Sequence, residues 1–376
     1  MRLNRRLFSL GLGAVVLSGC ASGGTGRARP AGGASGLPAD LRPQRNAGYD
    51  AWVQDFRPRA QAQGISQRTL DQAFRGAGFL PGVVKRDRNQ TEFKRTLEDY
   101  LAIAASDKRI AMGREMFARH RRTLSAIEAR YGVDPSIMTA IWGLESFYGT
   151  RMGDIPVISA TSTLAFEGRR GRFFEAQLMD ALRIIQAGDI PAAQMRGSWA
   201  GAMGHTQFIP TTFTGYAVDF DGDGRRDIWN ADPADALAGT ANYLAQRGWQ
   251  RGGAWAQEDP GGAFEPQAGG PRFTLGPNFR VIKRYNNSDS YAIGVGHLAD
   301  RIRGAGPLRG QFPPDEFGLT KQDRVALQQG LTRRGFDAGE ADGIIGTQTR
   351  TAIEGFQRRN GLPVTGTPSR DLLRRL

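Results

Sequence analysis

The sequence predicts a mainly α-helical chain that closes with a small three-helix domain. Three observations carry this. Tyr131–Gly149 (YGVDPSIMTAIWGLESFYG) repeats apolar residues at helical spacing between clear start and stop signals. The main part of the chain shows no strong alternating pattern, with a single strand expected at Phe279–Tyr285. Leu319–Leu376 divides into three short segments, each with its own helix-opening residue.

The chain has 376 residues, enough for two domains and a sizeable core. Its 50 basic residues against 37 acidic ones give a net charge of +13, and only Lys85, Lys94, Lys108, Lys283 and Lys321 are lysines. Such a charge attracts polyanions, among them nucleic acid, anionic lipid and a cell wall whose peptides end in carboxylates. The arginines are spread along the chain and no recognition motif accompanies them, so nucleic acid is not expected as a partner. With three scattered histidines, a histidine-based metal site or triad is not expected.

At the start, Arg2, Arg5 and Arg6 precede the short apolar run Leu7–Leu17, which is too short to span a bilayer and reads as a signal peptide over 1–20. Leu17-Ser18-Gly19-Cys20 resembles the lipobox of bacterial lipoproteins, which implies cleavage before Cys20 and lipid on it. Cys20 is the only cysteine, so no internal disulfide can form. Asn4-Arg5-Arg6-Leu7-Phe8 also looks like a twin-arginine signal, leaving the export route open. Residues 21–46, rich in Gly, Ala, Pro and Ser, read as a flexible tether.

A domain over 47–303 follows. Tyr49–Gly78 reads as two short helices: Trp52 and Phe56 share a face, Gly64 breaks the pattern, and Ser66 caps the second. Glu92–Ala104 and Arg109–Arg130 read as further helices. In Tyr131–Gly149, Asp134 fits the N-cap, Pro135 the first helical position and Gly149 the place just past the end. Ile137, Met138, Ile141, Trp142, Leu144 and Tyr148 form its apolar face. Glu145 lies one turn after Ile141, on that face. Partial desolvation there disfavours the charged form and raises the pKa. A protonated acid near neutral pH is what glycosidic cleavage needs, because the leaving oxygen must receive a proton. The alternative is a glutamate at the helix edge, in water.

Downstream, Ser198–Phe213 (SWAGAMGHTQFIPTTF) reads as a tight helical turn. Gly201, Ala202 and Gly204 allow close backbone approach, Ser198 can cap, and Pro210 ends the turn. Ser198 and Gln207 can both point toward the acid. Asp219-Phe-Asp221-Gly-Asp223-Gly224 opens like an EF-hand calcium loop, with oxygen ligands at alternate positions and glycine sixth. Its twelfth position is Asn230, not glutamate. A helix over Pro233–Arg247 carries Tyr243; the polar, Gly-rich stretch 252–276 precedes the expected strand; Tyr285, Asn286 and Tyr291 lead into a helix to Ile302.

ESFYG followed by SWAGAMGHTQFIPTTF resembles the lytic murein transglycosylases of the membrane-bound B type, over most of residues 48–303. The resemblance implies a lysozyme-like α+β catalytic domain, with Glu145 as the single catalytic acid. It implies that Ser198 orients this acid and Gln207 contacts the sugar. It further implies cleft roles for Tyr100, Arg169, Arg170, Tyr243, Tyr285, Asn286 and Tyr291. The calcium set it implies is Asp219, Asp221, Asp223 and the Arg225 carbonyl, closed by Asp235, for which Asp232 competes. No cofactor is expected for catalysis; a structural calcium is.

After a linker over 304–318, the words Ala341-Asp-Gly-Ile-Ile-Gly-Thr, Phe356-Gln357 and Asn360-Gly361-Leu362 resemble the three-helix peptidoglycan-binding domain, here 319–376. Thr320, Thr347 and Thr367-Pro368 open its helices. The reaction implied cleaves the β-1,4 bond between N-acetylmuramic acid and N-acetylglucosamine and leaves a 1,6-anhydro end. A muramidase would use a second carboxylate, for which Glu167, Glu175 and Asp180 are candidates; a wall-binding lipoprotein without activity is the other alternative. The expected partner is the glycan strand, and the expected state a monomer held by lipid at the periplasmic side of the outer membrane.

Overall fold

The computed structural model describes residues 36–89 and 96–376; the signal segment, Cys20 and most of the stretch read as a tether lie outside them. In chain order the helices are α1 (Ala47–Ala62), α2 (Gln67–Phe74), α3 (Pro81–Arg88), α4 (Leu97–Ala104), α5 (Asp107–Arg119), α6 (Arg121–Tyr131), α7 (Pro135–Ser146) and α8 (Val157–Glu167). Then come α9 (Gly171–Ala187), α10 (Pro210–Tyr216), α11 (Ala234–Gln246), α12 (Phe279–Tyr285) and α13 (Asp289–Ile302). The chain closes with α14 (Lys321–Arg333), α15 (Thr347–Arg359) and α16 (Arg370–Arg375). Four short strands, β1 (Ile155–Pro156), β2 (Arg196–Gly197), β3 (Ala256–Glu258) and β4 (Phe273–Leu275), form the antiparallel pairs β1–β2 and β3–β4. No helix among the described residues is long and apolar enough to cross a membrane.

Contacts divide the chain into two units. The first holds Met1–Phe93, Ala111–Gly252 and Arg284–Asn286; the second holds Lys94–Ile110, Gly253–Lys283 and Asn287–Leu376. In the first, α7 and α8 are buried on nearly every side, the mark of central helices and not of surface ones. Ala160, Leu164 and Phe174 join Leu80 and Val83 in one apolar cluster. Leu41 reaches the same cluster, and Gln44 and Phe79 exchange backbone hydrogen bonds at 2.9 and 3.1 Å. The last part of the stretch read as a tether is therefore structured, because Leu41 supplies an apolar anchor. Asn46 and Ser66 cap α1 and α2 by accepting the backbone N–H of Tyr49 and Thr69.

Several local expectations need correction. The long helix expected over Arg109–Arg130 is broken at His120, whose ring meets Trp142 edge-on at 5.5 Å. Phe279–Tyr285 is helix α12, not a strand; Asn278 accepts the backbone N–H of Val281 and Ile282 at 3.1 and 3.0 Å, which starts the helix. A short apolar run fits either structure by pattern alone. Conversely, β3 and β4 lie in the stretch read as merely polar and Gly-rich. Pro210 opens α10 instead of only ending the turn before it.

In the second unit, Thr320 and Asp323 form a reciprocal capping box at α14. Leu327, Leu331, Ile353, Phe356 and Leu372 make the small apolar core. Gly346 and Ser369, not the threonines Thr347 and Thr367, sit at the N-caps of α15 and α16. Arg324 is buried and binds Asp315, Glu98 and Asp99 at 2.7–3.1 Å.

The end of α7 departs from the sequence expectation in an informative way. Phe147 and Tyr148 adopt φ of 50° and 57° before Gly149 at 83°, so the left-handed corner begins two residues earlier than a glycine cap predicts. The Tyr148 ring folds back over Gly143, where a Cβ would lie 2.6 Å away. Ser146 Oγ accepts the Gly149 N–H at 2.9 Å and donates to the His205 carbonyl at 2.5 Å. A Cβ on Gly149 would lie 2.4 Å from the His205 ring. Gly149→Ala is thus expected to destabilise the chain by about 3 kcal/mol, from left-handed strain and overpacking together, as measured by urea unfolding. Native stability in that variant would show that the corner does not depend on this close approach.

Candidate functional site

Glu145 sits in the last turn of α7, half-buried, while its helix neighbours Ile141, Trp142, Leu144 and Ser146 are buried. Past Pro135 at its start, the acid is the one residue of α7 that is not buried. Tyr285 is its electrostatic neighbour. The Tyr285 hydroxyl is held well above the usual phenol range, first by burial and then by the Glu145 charge. That hydroxyl donates to the Thr206 carbonyl at 2.7 Å, which ties it to the segment containing Gln207.

That segment is not a helical turn. Gly197 pairs with Met203, and Met203 with Phe208, as isolated β-bridges. Glycine permits this: a Cβ on Gly197 would lie 2.1 Å from the Ala202 carbonyl oxygen, and one on Gly204 2.4 Å from that of Ile228. Ser198 Oγ accepts the Ala202 N–H at 3.0 Å and keeps its own proton to donate. Gln207 holds φ at 53°. Its amide nitrogen donates to the Met152 and Gly204 carbonyls at 3.0 and 2.9 Å, which leaves Oε1 as an outward acceptor.

The other expected residues fall into different settings. Tyr243 is buried and donates to the Arg284 carbonyl at 2.7 Å, and its ring meets Tyr285 edge-on at 5.2 Å. Asn286 is half-buried in the same unit. Tyr100, half-buried on α4, and Tyr291, buried at the start of α13, belong to the second unit. Arg169 and Arg170 both bind Asp87, a carboxylate with only 2% of its side chain exposed. Arg170 is largely enclosed with Asp87, while Arg169 spends one terminal nitrogen on it and stays about half exposed.

Asp219, Asp221 and Asp223 bring ligand atoms within 4.8 Å of one another. Gly224, sixth in the loop, takes φ of 87° and donates to Asp219 at 2.9 Å. An all-oxygen, carboxylate-rich donor set on a turn closed by glycine fits a hard divalent cation. Asp235 is not among the converging carboxylates. It is buried, and its two oxygens accept the Phe220 and Asp227 N–H groups at 2.7 and 2.8 Å, so it braces the loop. Burial raises its pKa, against the lowering by those two bonds. Asp232 accepts the Ala234 N–H at 3.1 Å, a capping role.

Sequence reasoning passed over His205. Its imidazole accepts from Trp142 Nε1 at 3.0 Å and donates from Nε2 to the Asn230 carbonyl at 2.6 Å. The indole can only donate and the carbonyl only accept, so the neutral Nε2–H tautomer is fixed. Burial pushes the His205 pKa below the ordinary range, and the Asn230 carbonyl pulls the other way. The one signal in the sequence was a lone histidine inside a glycine-rich segment.

Comparison with known proteins shows the family. A family model described as the transglycosylase SLT domain matches residues 48–262 and 262–300, and one for a peptidoglycan binding domain matches 320–376. The membrane-bound lytic murein transglycosylase B of Escherichia coli K12 is 32% identical over 211 residues, 46% of this chain, and the match spans 58% of that relative's length. The crystal structure of SltB3 from Pseudomonas aeruginosa with NAG-NAM-pentapeptide superposes with a TM-score of 0.68 at 43% identity, covering 88% of this chain and 100% of that one. The Escherichia coli lytic transglycosylase SLT35 in complex with calcium gives 0.58 at 25% identity, covering 69% and 93%. Matched over more than half its length, the chain belongs to the transglycosylase SLT domain family.

Proposed function

We propose that this chain is a peptidoglycan lytic transglycosylase with Glu145 as its single acid and base. The observation that carries the reading is the half-buried Glu145 at the mouth of a buried helix, close enough for its charge to act on the Tyr285 hydroxyl. Glu145 donates its proton to the bridging oxygen of the β-1,4 bond between N-acetylmuramic acid and N-acetylglucosamine. The carboxylate then takes the proton of the muramic C6 hydroxyl. That oxygen closes on C1, and the product carries a 1,6-anhydro end with no water consumed. In this reading Ser198 and Gln207 Oε1 supply a donor and an acceptor to the bound sugar.

Hydrolysis by two carboxylates has less support. Glu167 is paired with Arg88, Glu175 with Arg59, and Asp180 with Arg183. Each candidate for the second acid is engaged with an arginine. The relative named as membrane-bound supports a cell-envelope location. Lipid on Cys20 at the periplasmic side of the outer membrane and a monomeric state complete the proposal. Residues 319–376 hold the enzyme on its polymer and raise the effective concentration of scissile bonds.

The same reading gives the Asp219 loop a structural calcium, bound by Asp219, Asp221, Asp223 and the Arg225 carbonyl. Calcium there fixes the loop and supplies nothing to the bond cleavage. The loop runs on to Asn230, whose carbonyl holds His205.

Glu145→Gln is expected to lower sacculus digestion at least 1,000-fold, on the order of the loss of an essential acid, while binding to sacculi persists. Mass spectrometry of the native digest should show products one water lighter than hydrolysis gives. Products of hydrolytic mass, or a variant digesting at the native rate, would reject the mechanism. Calcium at about 100 times its Kd should stabilise the native chain by about 2–3 kcal/mol. An Asp219→Asn, Asp223→Asn variant should show no such rise in thermal unfolding, and a native chain indifferent to millimolar calcium would rule the site out.

A further inference from the structure

Arg247 follows the last turn of α11, and its guanidinium lies over two tyrosine rings, 5.2 Å from the centroid of Tyr216 and 5.3 Å from that of Tyr243. The two rings meet edge-on at 4.8 Å. Nε of Arg247 is sealed from solvent and has no hydrogen-bond partner. Among the described residues no carboxylate pairs with Arg247. Other arginines of the same unit do find one: Arg169 and Arg170 share Asp87, and Arg226 binds Asp189. Arg284 donates to the Arg247 carbonyl and also has no acidic partner among the described residues. One cation thus lies on the aromatic shelf and a second is bonded to its backbone, neither with an acidic partner among the described residues.

The shelf is continuous with the acid's surroundings. Tyr243 meets Tyr285 at 5.2 Å, and Tyr285 lies within the field of Glu145. Stacking fixes the plane of the fork, and sealing Nε leaves the two terminal nitrogens as the end that can meet a ligand. A planar, pre-oriented pair of donors on a partly desolvated cation matches a carboxylate. Stacking on tyrosine alone would not require the fork to lack an acid; a helix arginine can equally reach a carboxylate one turn away, as Arg183 reaches Asp180.

We propose that Arg247, seated on the Tyr216–Tyr243 shelf, binds a carboxylate of the peptide stem carried by the glycan substrate. This rests on the reading that the chain cleaves peptidoglycan. It adds to that reading a residue that distinguishes peptide-bearing strands from neutral ones. Arg284 adds positive potential at the same edge.

The test compares the full-length chain with Arg247→Gln and Arg247→Lys on three soluble glycan fragments: one with free stem carboxylates, one with those carboxylates converted to amides, and one stripped of stems so that only the lactyl carboxylate remains. With free stem carboxylates, Arg247→Gln should lower kcat/KM about 10- to 100-fold, the scale of a lost charge-assisted hydrogen bond, mainly through KM. Arg247→Lys should recover only part, because lysine lacks the fork. On the amidated fragment the native advantage should collapse, and thermal unfolding should confirm that both variants are folded. An equal loss on free and amidated stems would overturn the proposal, as would a native advantage retained only on the stem-free fragment, which would assign the contact to the lactyl group. Failure of the native chain to cleave any of the three would instead reject the transglycosylase reading.

Discussion

The imidazole of His205 is the joint on which the site depends. It joins three stretches of chain, adding to the backbone bond from the His205 N–H to the Ile228 carbonyl at 3.0 Å. Trp142 on α7 donates to one nitrogen, the Asn230 carbonyl takes the proton of the other, and Ser146 donates to the His205 carbonyl. Trp142 and Ser146 flank the stretch of α7 that presents Glu145. A buried ring with both nitrogens satisfied admits one orientation and one tautomer, because any rotation leaves a buried donor or acceptor unpaired. The helix with the acid, the glycine-rich segment with Ser198 and Gln207, and the carboxylate loop therefore share a single pin.

Strain collects around this pin. Phe147, Tyr148 and Gln207 are the non-glycine residues with positive φ among the described residues. Each such conformation costs roughly 1–3 kcal/mol, and residues of this kind persist only where the surroundings over-determine them. The surroundings do so here. Tyr148 is wedged over Gly143, Arg151 N–H reaches the Ser146 carbonyl at 2.8 Å, and the side-chain amide of Gln207 is tied to two carbonyls. The gain is a helix that stops abruptly, so that Glu145 lies at its open end instead of inside another turn.

What the sequence reveals and what it hides follow the same physical divide. Signals carried by neighbours in the chain are legible. Asp134 caps α7 as its position predicts, accepting the Ser136 N–H at 2.7 Å, and the apolar spacing of Ile137, Met138 and Ile141 places them in the core. The capping box at Thr320 is equally local. Signals that depend on distant partners are not legible. Nothing near Arg169 and Arg170 in the chain announces Asp87, more than eighty residues away. The corner after α7 was expected at Gly149 because glycine favours positive φ, yet long-range bonds through His205 and Ser146 force Phe147 and Tyr148 into it first. The sequence of α12 fails for another reason, since seven residues with three buried apolar side chains satisfy strand and helix alike.

The polarity of the site can be followed one step further. Both donor positions of the Gln207 amide are spent on Met152 and Gly204, so its free end accepts only. Tyr285 gives its proton to Thr206, and its raised pKa excludes a phenolate beside Glu145 near neutral pH. In the segment tied to Tyr285, Gln207 Oε1 is thus left as an acceptor and Ser198 as a donor, the pair that the proposed sugar contacts would use. On the far side of Tyr243 the sense reverses, and Arg247 and Arg284 present donors with positive charge. A neutral, donor-rich sugar beside an anionic stem is the ligand whose polarity changes in the same order. The edge-on pair Tyr243–Tyr285 links the two regions, since Arg247 lies over the first ring and the Glu145 charge acts on the second.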